Sequence, residues 1–355
     1  MNKLINLFKK KKSLPLDEFI DMALYDKKIG YYMKKNPFGK KGDYITSPLI
    51  SNLFSEMIAV WSVALWESLK KPKKICIVEL GPGDGTLCQD LINTFKNFKD
   101  FYPSFEIKLF EKSTKLRLIQ KTKIKSNKVK WIKNINKLNH GPIIFLCNEF
   151  FDSLPIKQFY VKKKIFFERH VILKKNKKDL KFIDKKAKKN LIHSIKKLNL
   201  DYKANVIEYP IAAIKYLDLI AKKIKKHDGA LLSIDYGYNN FNSYNSLQSV
   251  KKHKKSNILK DVGNSDITHH INYKLFLKVL KKNNLNTEDI VTQSKFLKTL
   301  GILERANILS KKISFKSKAN MYFRLRRILS PTQMGGLFKV LMAQKKGNKF
   351  SLGFK

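Results

Sequence analysis

The feature that most constrains this chain is a change of hydrophobic period near residue 75. Before it, Leu49, Leu53, Met57, Val60, Trp61, Ala64 and Leu65 recur at helical spacing, which predicts a helix over 49–70 closed by Pro72. After it, short apolar runs alternate with amphipathic stretches. The run 75–80 is nearly all apolar, as in a strand buried on both faces, and leads straight into VELGPGDG at 78–85. Further strands are predicted at 107–110, 129–132, 143–147 and 230–236, with the last two at 289–292 and 338–344. Helices are predicted at 87–98 and 115–123. Parallel strands need crossover connections, and strands alternating with helices supply them. The pattern predicts an α/β fold with a doubly wound, mostly parallel sheet.

The remaining segments fit around that sheet. Residues 14–35 read as an amphipathic helix with a turn at Gly30, and FGKKGDYITSP at 38–48 as a glycine- and lysine-rich loop. Between the fourth and fifth strands the spacing is too long for a simple crossover. A hairpin over 158–173, a lysine-rich excursion over 174–197 and a helix near 210–226 are expected there. The division that follows is an N-terminal helical and lid segment, 1–72, and a cofactor-binding domain, 73–355, with insertions around 156–228 and 293–336.

Chemistry concentrates at the strand ends. Gly81, Gly83 and Gly85 permit positive φ and let backbone amides approach a ligand at the start of a helix, where the helix dipole favours negative charge. A nicotinamide fingerprint would place its third glycine at position 86, which is threonine, so the loop departs from a dehydrogenase pattern. A glycine loop alone can also be only a tight turn. Glu111, at the end of the second strand, is either an acceptor for both hydroxyls of a ribose or a surface acid of the run EKSTK. Glu79, just before the loop, lies where the other end of such a ligand would sit. After the fourth strand, NEFFDSLP carries Asn148, Glu149 and Asp152. Glu149 and Asp152 form a pair of acids suited to a cation, although Asp152 can equally cap a turn and Glu149 can be structural. Thr46 and Ser47, in GDYITSP, either belong to a lid over the ligand or serve helix entry, with Ser47 capping a helix begun by Pro48. Asp235, read as the end of the fifth strand, either faces the same crevice or fixes the turn at Gly237. His269 and His270 are adjacent and point opposite ways, and His253 stands apart, so no metal site is expected.

Strand, E-x-G-x-G-x-G and a second-strand acid resemble the class I methyltransferases, a Rossmann-like group. GDYITSP (42–48), VELGPGDG (78–85), NEFFDSLP (148–155), DYGY (235–238), SLQSVKKH (246–253), TQSKFLKTLGILERA (292–306) and PTQMGGLFKVL (331–341), in that order, resemble the MidA-like family over about 14–344. The resemblance implies S-adenosyl-L-methionine as cofactor, with Glu79, Gly81, Gly83, Gly85, Glu111, Asn148, Thr46 and Ser47 around it. It also implies arginine methylation of a protein, such as a subunit of the NADH dehydrogenase complex (respiratory complex I). Arginine stays protonated at ordinary pH. Two carboxylates gripping its guanidinium can polarise it and aim one nitrogen, which is the role expected of Glu149 and Asp152 with Asn148 beside them.

Composition limits the alternatives. The formal charge is +46, yet only six of 74 basic residues are arginine. A nucleic-acid reader usually mixes the two, because arginine reads bases and stacks. Lysine spread everywhere reads as compositional drift. A nucleic-acid amino methyltransferase would carry Asn-Pro-Pro-Tyr after the fourth strand, whereas Glu149 and Phe150 occupy the proline positions. A non-catalytic, cofactor-binding assembly chaperone is the other alternative, and the intact glycine loop opposes it. No apolar run is long enough to span a bilayer. Cys76, Cys88 and Cys147, three in number and scattered, fit a reducing compartment: the cytoplasm for a bacterial chain, the mitochondrial matrix for a eukaryotic one.

Overall fold

The computed structural model describes residues 8, 10–39, 42–175, 179–198, 200, 206–239 and 245–355. These fall into two compact units, one drawn from Asn36–Phe150, Leu217–Tyr238 and Val279–Lys355, the other from Met1–Lys35, Phe151–Tyr216 and Asn239–Lys278. Residues 1–72 are therefore shared between them.

The first unit is an α/β sheet of seven principal strands: β1 (Ile75–Leu80), β2 (Phe105–Phe110), β3 (Val129–Ile132), β4 (Ile143–Asn148), β5 (Gly229–Tyr238), β6 (Leu285–Thr287) and β7 (Phe338–Lys345). Their order is β6-β7-β5-β4-β1-β2-β3. The strands β3, β2, β1, β4 and β5 are mutually parallel, and β7 runs antiparallel to both β5 and β6. Strand β1 is buried at all six positions, as its continuous apolar run requires. The chain order reverses between β1 and β4, and open α/β sheets bind ligands at the strand ends beside such a reversal.

Helices α1 (Asn52–Ser68), α2 (Thr86–Phe95), α3 (Thr114–Lys123), α4 (Gln293–Thr299), α5 (Ile302–Ser310) and α6 (Phe315–Leu329) belong to this unit. One apolar core joins Trp61 and Trp66 of α1, Phe95 of α2, Phe101, Phe105 of β2, Phe296 and Leu297 of α4, and Ile328 of α6. The segment 293–336 thus adds helices to the core of the sheet unit.

Several boundaries differ from expectation. The helix predicted over 49–70 is two helices, Ser47–Ile50 and α1, separated by Ser51 in extended conformation (φ −149°, ψ 124°). Periodicity does not register a single break of this kind. The predicted strand 289–292 is Leu285–Thr287 plus a two-residue strand, Val291–Thr292, both paired with β7. Leu285 and Val291 are the anchoring apolar residues there, and both are buried. Asp235 lies inside β5, which continues to Tyr238, and is not its last residue.

In the second unit the predicted hairpin is present, as Lys157–Lys162 antiparallel to Ile165–Leu173. Leu180–Lys186 extends it, and Leu14–Pro15 also pairs with Ile165–Leu173. Residues 176–178 of the lysine-rich stretch lie outside the described residues. The rest is not a bare solvated excursion but that third strand and a helix, Lys189–Lys197, anchored by buried Leu180 and Ile195. The helix expected over 14–35 ends at Tyr25, and Gly30 precedes a second short helix, Tyr31–Lys34. Among the described residues no helix is long and apolar enough to cross a membrane.

Candidate cofactor and active site

Each predicted glycine of the loop after β1 stands in the left-handed region: Gly81 at φ +67°, Gly83 at +56° and Gly85 at +84°. A side chain there costs about 1–2 kcal/mol per position before any contact is considered. Gly85 precedes α2 directly, so the loop delivers its amides to a helix N-terminus. Contacts add to the constraint. A Cβ on Gly81 would lie 2.9 Å from the ring of Phe150, and one on Gly83 would lie 3.0 Å from the ring of Phe38. Phe38 belongs to the 38–48 loop and is held there by an edge contact with Tyr44 at 5.2 Å and by the Gly39 N–H donating to the Tyr44 carbonyl at 3.1 Å. That loop therefore rests on the glycine loop.

The two predicted acids are buried. Glu79 is 3% exposed, and its Oε2 has no hydrogen-bond partner among the described residues. Burial, reinforced by repulsion from Asp84 and Glu111, raises its pKa to about 8. Glu111 accepts from the Ser113 amide at 2.7 Å and from Gln120 Nε2 at 3.4 Å, while Arg117 binds its backbone carbonyl. Burial outweighs these bonds and raises the Glu111 pKa to about 7. Asn148 closes β4, with Nδ2 donating to Glu149 Oε1 at 3.2 Å and Oδ1 unpartnered among the described residues. Glu149 is half-buried at φ +52°, an unusual conformation for a side chain of its size, fixed by its N–H donating to the Ile234 carbonyl at 2.9 Å.

The sheet unit therefore contains Glu79, the three glycines, Glu111, Asn148, Glu149, Thr46 and Ser47. Asp152 falls in the other unit, where it is buried and its carbonyl accepts from the His269 N–H at 3.0 Å. The capping expected of Ser47 is not seen. Thr46 precedes the helix Ser47–Ile50, and Ser47, fully buried, donates inward to Gln293 Oε1 at 3.2 Å, whose amide nitrogen in turn donates to the Ile328 carbonyl at 2.9 Å. Asp235 is buried, and its Oδ1 accepts from the Tyr236 amide at 2.9 Å. His269 is buried and held neutral, its pKa pushed down to about 4 by burial. Among the described residues no group of three His, Cys, Asp or Glu side chains could hold a metal ion.

Two residues were not singled out from sequence. Gln120, fully buried, donates to the Gly83 carbonyl at 2.8 Å and accepts from Trp131 Nε1 at 2.9 Å, tying the glycine loop to Glu111 and β3. The available signal was its place four residues after buried Leu116, on the inward face of an otherwise charged helix. Phe38 gave none, because its contact with Gly83 spans 45 residues of chain.

The site thus offers two buried acceptor atoms without a partner among the described residues, at the ends of adjacent parallel strands, an acid directly after β2 with a fixed amide network, and a glycine loop opening a helix. This set suits a ligand with a cationic end and a diol, and S-adenosyl-L-methionine has both.

Comparison with known proteins agrees. Residues 57–291 match the model of a family described as "Putative S-adenosyl-L-methionine-dependent methyltransferase". The Xenopus laevis protein arginine methyltransferase NDUFAF7, mitochondrial, is 28% identical over 365 residues, covering 96% of this chain and 83% of that protein. The homologue of that name in Caenorhabditis elegans is 30% identical over 303 residues, covering 78% of this chain and 70% of its own. A crystal structure from Burkholderia thailandensis bound to S-adenosyl-homocysteine superimposes with a TM-score of 0.84 at 19% identity, covering 99% of this chain and 93% of that one. At that identity the last likeness speaks to the fold.

Proposed function

Since the chain belongs to this family of S-adenosyl-L-methionine-dependent methyltransferases, we propose that it methylates arginine in a protein substrate, at Glu149 beside the glycine loop. The observation that carries the reading is the placement of Glu149 itself. It is a half-buried acid in a left-handed backbone conformation, at the strand end next to Asn148, whose Nδ2 donates to it and whose Oδ1 has no partner among the described residues. Backbone strain of this kind persists where surrounding structure over-determines it. The two relatives above are named as protein arginine methyltransferases, which supports arginine as the acceptor.

S-adenosyl-L-methionine supplies a methyl group activated by a sulfonium cation. The chain's own residues then bind and orient. Glu79 receives the cationic end of the ligand, the amides around Gly81, Gly83 and Gly85 approach it, and Glu111 accepts from the ribose hydroxyls. Asn148 serves the cofactor or the incoming nitrogen, and Thr46 belongs to the loop that covers the ligand with Phe38, anchored by the buried Ser47 that follows it. Glu149 grips the guanidinium, polarising it and aiming one nitrogen. The substrate we propose is a subunit of the NADH dehydrogenase complex, and the location is the mitochondrial matrix in a eukaryotic cell or the cytoplasm in a bacterium. The relatives' mitochondrial names support the first of these.

The test is label transfer from S-adenosyl-L-methionine into isolated NADH dehydrogenase subunits, with total RNA and DNA as parallel acceptors. Label in protein supports the reading. Label in nucleic acid that falls steeply with salt would replace it with the nucleic-acid reading. Cofactor binding with no transfer to any acceptor would favour a binding protein without catalysis.

A further inference from the structure

The sequence carries an anomaly that the methyltransferase site does not use. Four of the six arginines in a lysine-dominated chain, Arg305, Arg324, Arg326 and Arg327, fall within 23 residues, and no Asp or Glu occurs after Glu304. The structure places Arg305 on α5 and the other three on α6. Arg305 is paired with Glu56 at 2.7 Å. Arg324, Arg326 and Arg327 are exposed, with no ion pair among the described residues. Lys311, Lys312, Lys316 and Lys318 are exposed beside them.

This cationic surface is also apolar. On α6 the buried stripe is Leu325, Ile328 and Leu329. A second stripe, Phe315, Ala319, Tyr322 and Phe323, lies at i, i+4, i+7 and i+8 on a different side of the helix. Phe315 is 88% exposed and Phe323 73%, and Ile308 and Ile313 are exposed near the same turn. Residues 311–320 are exposed without exception, so this end of the helix pair projects from the unit.

We infer that the α5–α6 turn docks on an anionic lipid surface, with Phe315, Phe323, Ile308 and Ile313 entering the headgroup–acyl boundary and the surrounding cations on the phosphates. A projecting element with aromatic residues among cations is the form an interfacial helix takes. The charge is complementary to anionic lipid, and planar guanidinium groups match phosphate oxygens bidentately where ammonium groups do not. A second copy is disfavoured, because a two-fold interface would set seven unpaired cations against seven.

All three tryptophans, Trp61, Trp66 and Trp131, lie outside the helix pair, so the difference in emission between Phe315→Trp and the parent reports on the turn. The experiment is a titration of the full chain carrying Phe315→Trp with phosphatidylcholine vesicles and with vesicles containing phosphatidylglycerol. The expected result is a blue shift with quenching by brominated acyl chains, seen with phosphatidylglycerol and not with phosphatidylcholine alone. In the otherwise native chain, Phe315→Ser with Phe323→Ser should weaken vesicle binding by about tenfold or more at unchanged charge. Lys186, Lys188 and Lys189→Gln, at a separate exposed lysine cluster, should leave the blue shift in place. Absence of the shift, or vesicle binding indifferent to the two serine substitutions, overturns the inference. So does an equal shift with polyglutamate or RNA, which assigns the surface to an acidic protein or to nucleic acid. A shift that appears without vesicles, together with dimerisation in sedimentation, assigns it to a second copy.

Discussion

Glu79 offers a prediction whose size follows from the structure. Burial, with repulsion from Asp84 and Glu111, raises its pKa from 4.5 to about 8, so near neutral pH the ligand-free protein holds this carboxyl protonated. A ligand that places a cation against Oε2 favours the carboxylate and must displace that proton. Through Glu79 alone, affinity for S-adenosyl-homocysteine should then rise about tenfold for each unit of pH increase below 8, or about thirtyfold from pH 6 to 7.5. Glu79→Gln should bind more weakly and lose this share of the slope, keeping only what Glu111, raised to about 7, contributes. Calorimetry in buffers of different ionisation enthalpy should also detect proton release, smaller in the variant. The same group acts on stability. The folded chain holds the Glu79 proton more tightly than the unfolded chain, so this contribution is complete below pH 4.5 and is lost as pH rises to about 8. Its full span is on the order of 5 kcal/mol. Ligand-free Glu79→Gln should therefore melt with a flatter pH dependence than the parent. Affinity that is flat from pH 6 to 7.5, or equally steep in Glu79→Gln, would refute the assignment of Glu79 to the cationic end of the ligand.

Further predictions follow from the neighbouring residues. Gly83→Val forces a branched side chain into φ +56° and against Phe38, and should abolish cofactor binding measured by calorimetry while circular dichroism shows a folded chain. Glu111→Ala should weaken cofactor binding by about 1–3 kcal/mol, as expected for lost hydrogen bonds to a charged group, and unchanged affinity would remove it from the ribose site. Exchanging the lysines of 174–197 for glutamine should leave methylation nearly intact. If activity instead falls, and salt reproduces the fall in the parent, the stretch recruits an acidic partner.

How much was legible in the sequence depended on the range of the interactions. β1 and the glycine loop were legible because their signals are local: an unbroken apolar run, and glycines where φ is positive. The doubly wound topology followed from alternation, and Glu79, Glu111 and Asn148 followed from their position at strand ends. What was not legible depends on distant pairing. Leu14–Pro15 joins a sheet through Val171 and His170, a partner no local pattern names. Ser47 looked like a cap because Pro48 follows it, but a buried amide 246 residues away takes its hydroxyl. Gln120 was hidden because a single buried polar residue on a charged helix shows its role only once Gly83, Glu111 and Trp131 surround it.

The central claim is that an acid at the end of β4 presents a protein arginine to S-adenosyl-L-methionine. The most direct measurement is residue-level mass spectrometry of the NADH dehydrogenase subunits after single turnover with labelled cofactor, comparing the parent with Glu149→Gln at matched cofactor occupancy. The account predicts label on arginine in the parent and a loss of about two orders of magnitude in the variant, whose cofactor affinity stays near normal. Label on lysine, or full transfer to arginine by Glu149→Gln, would contradict it.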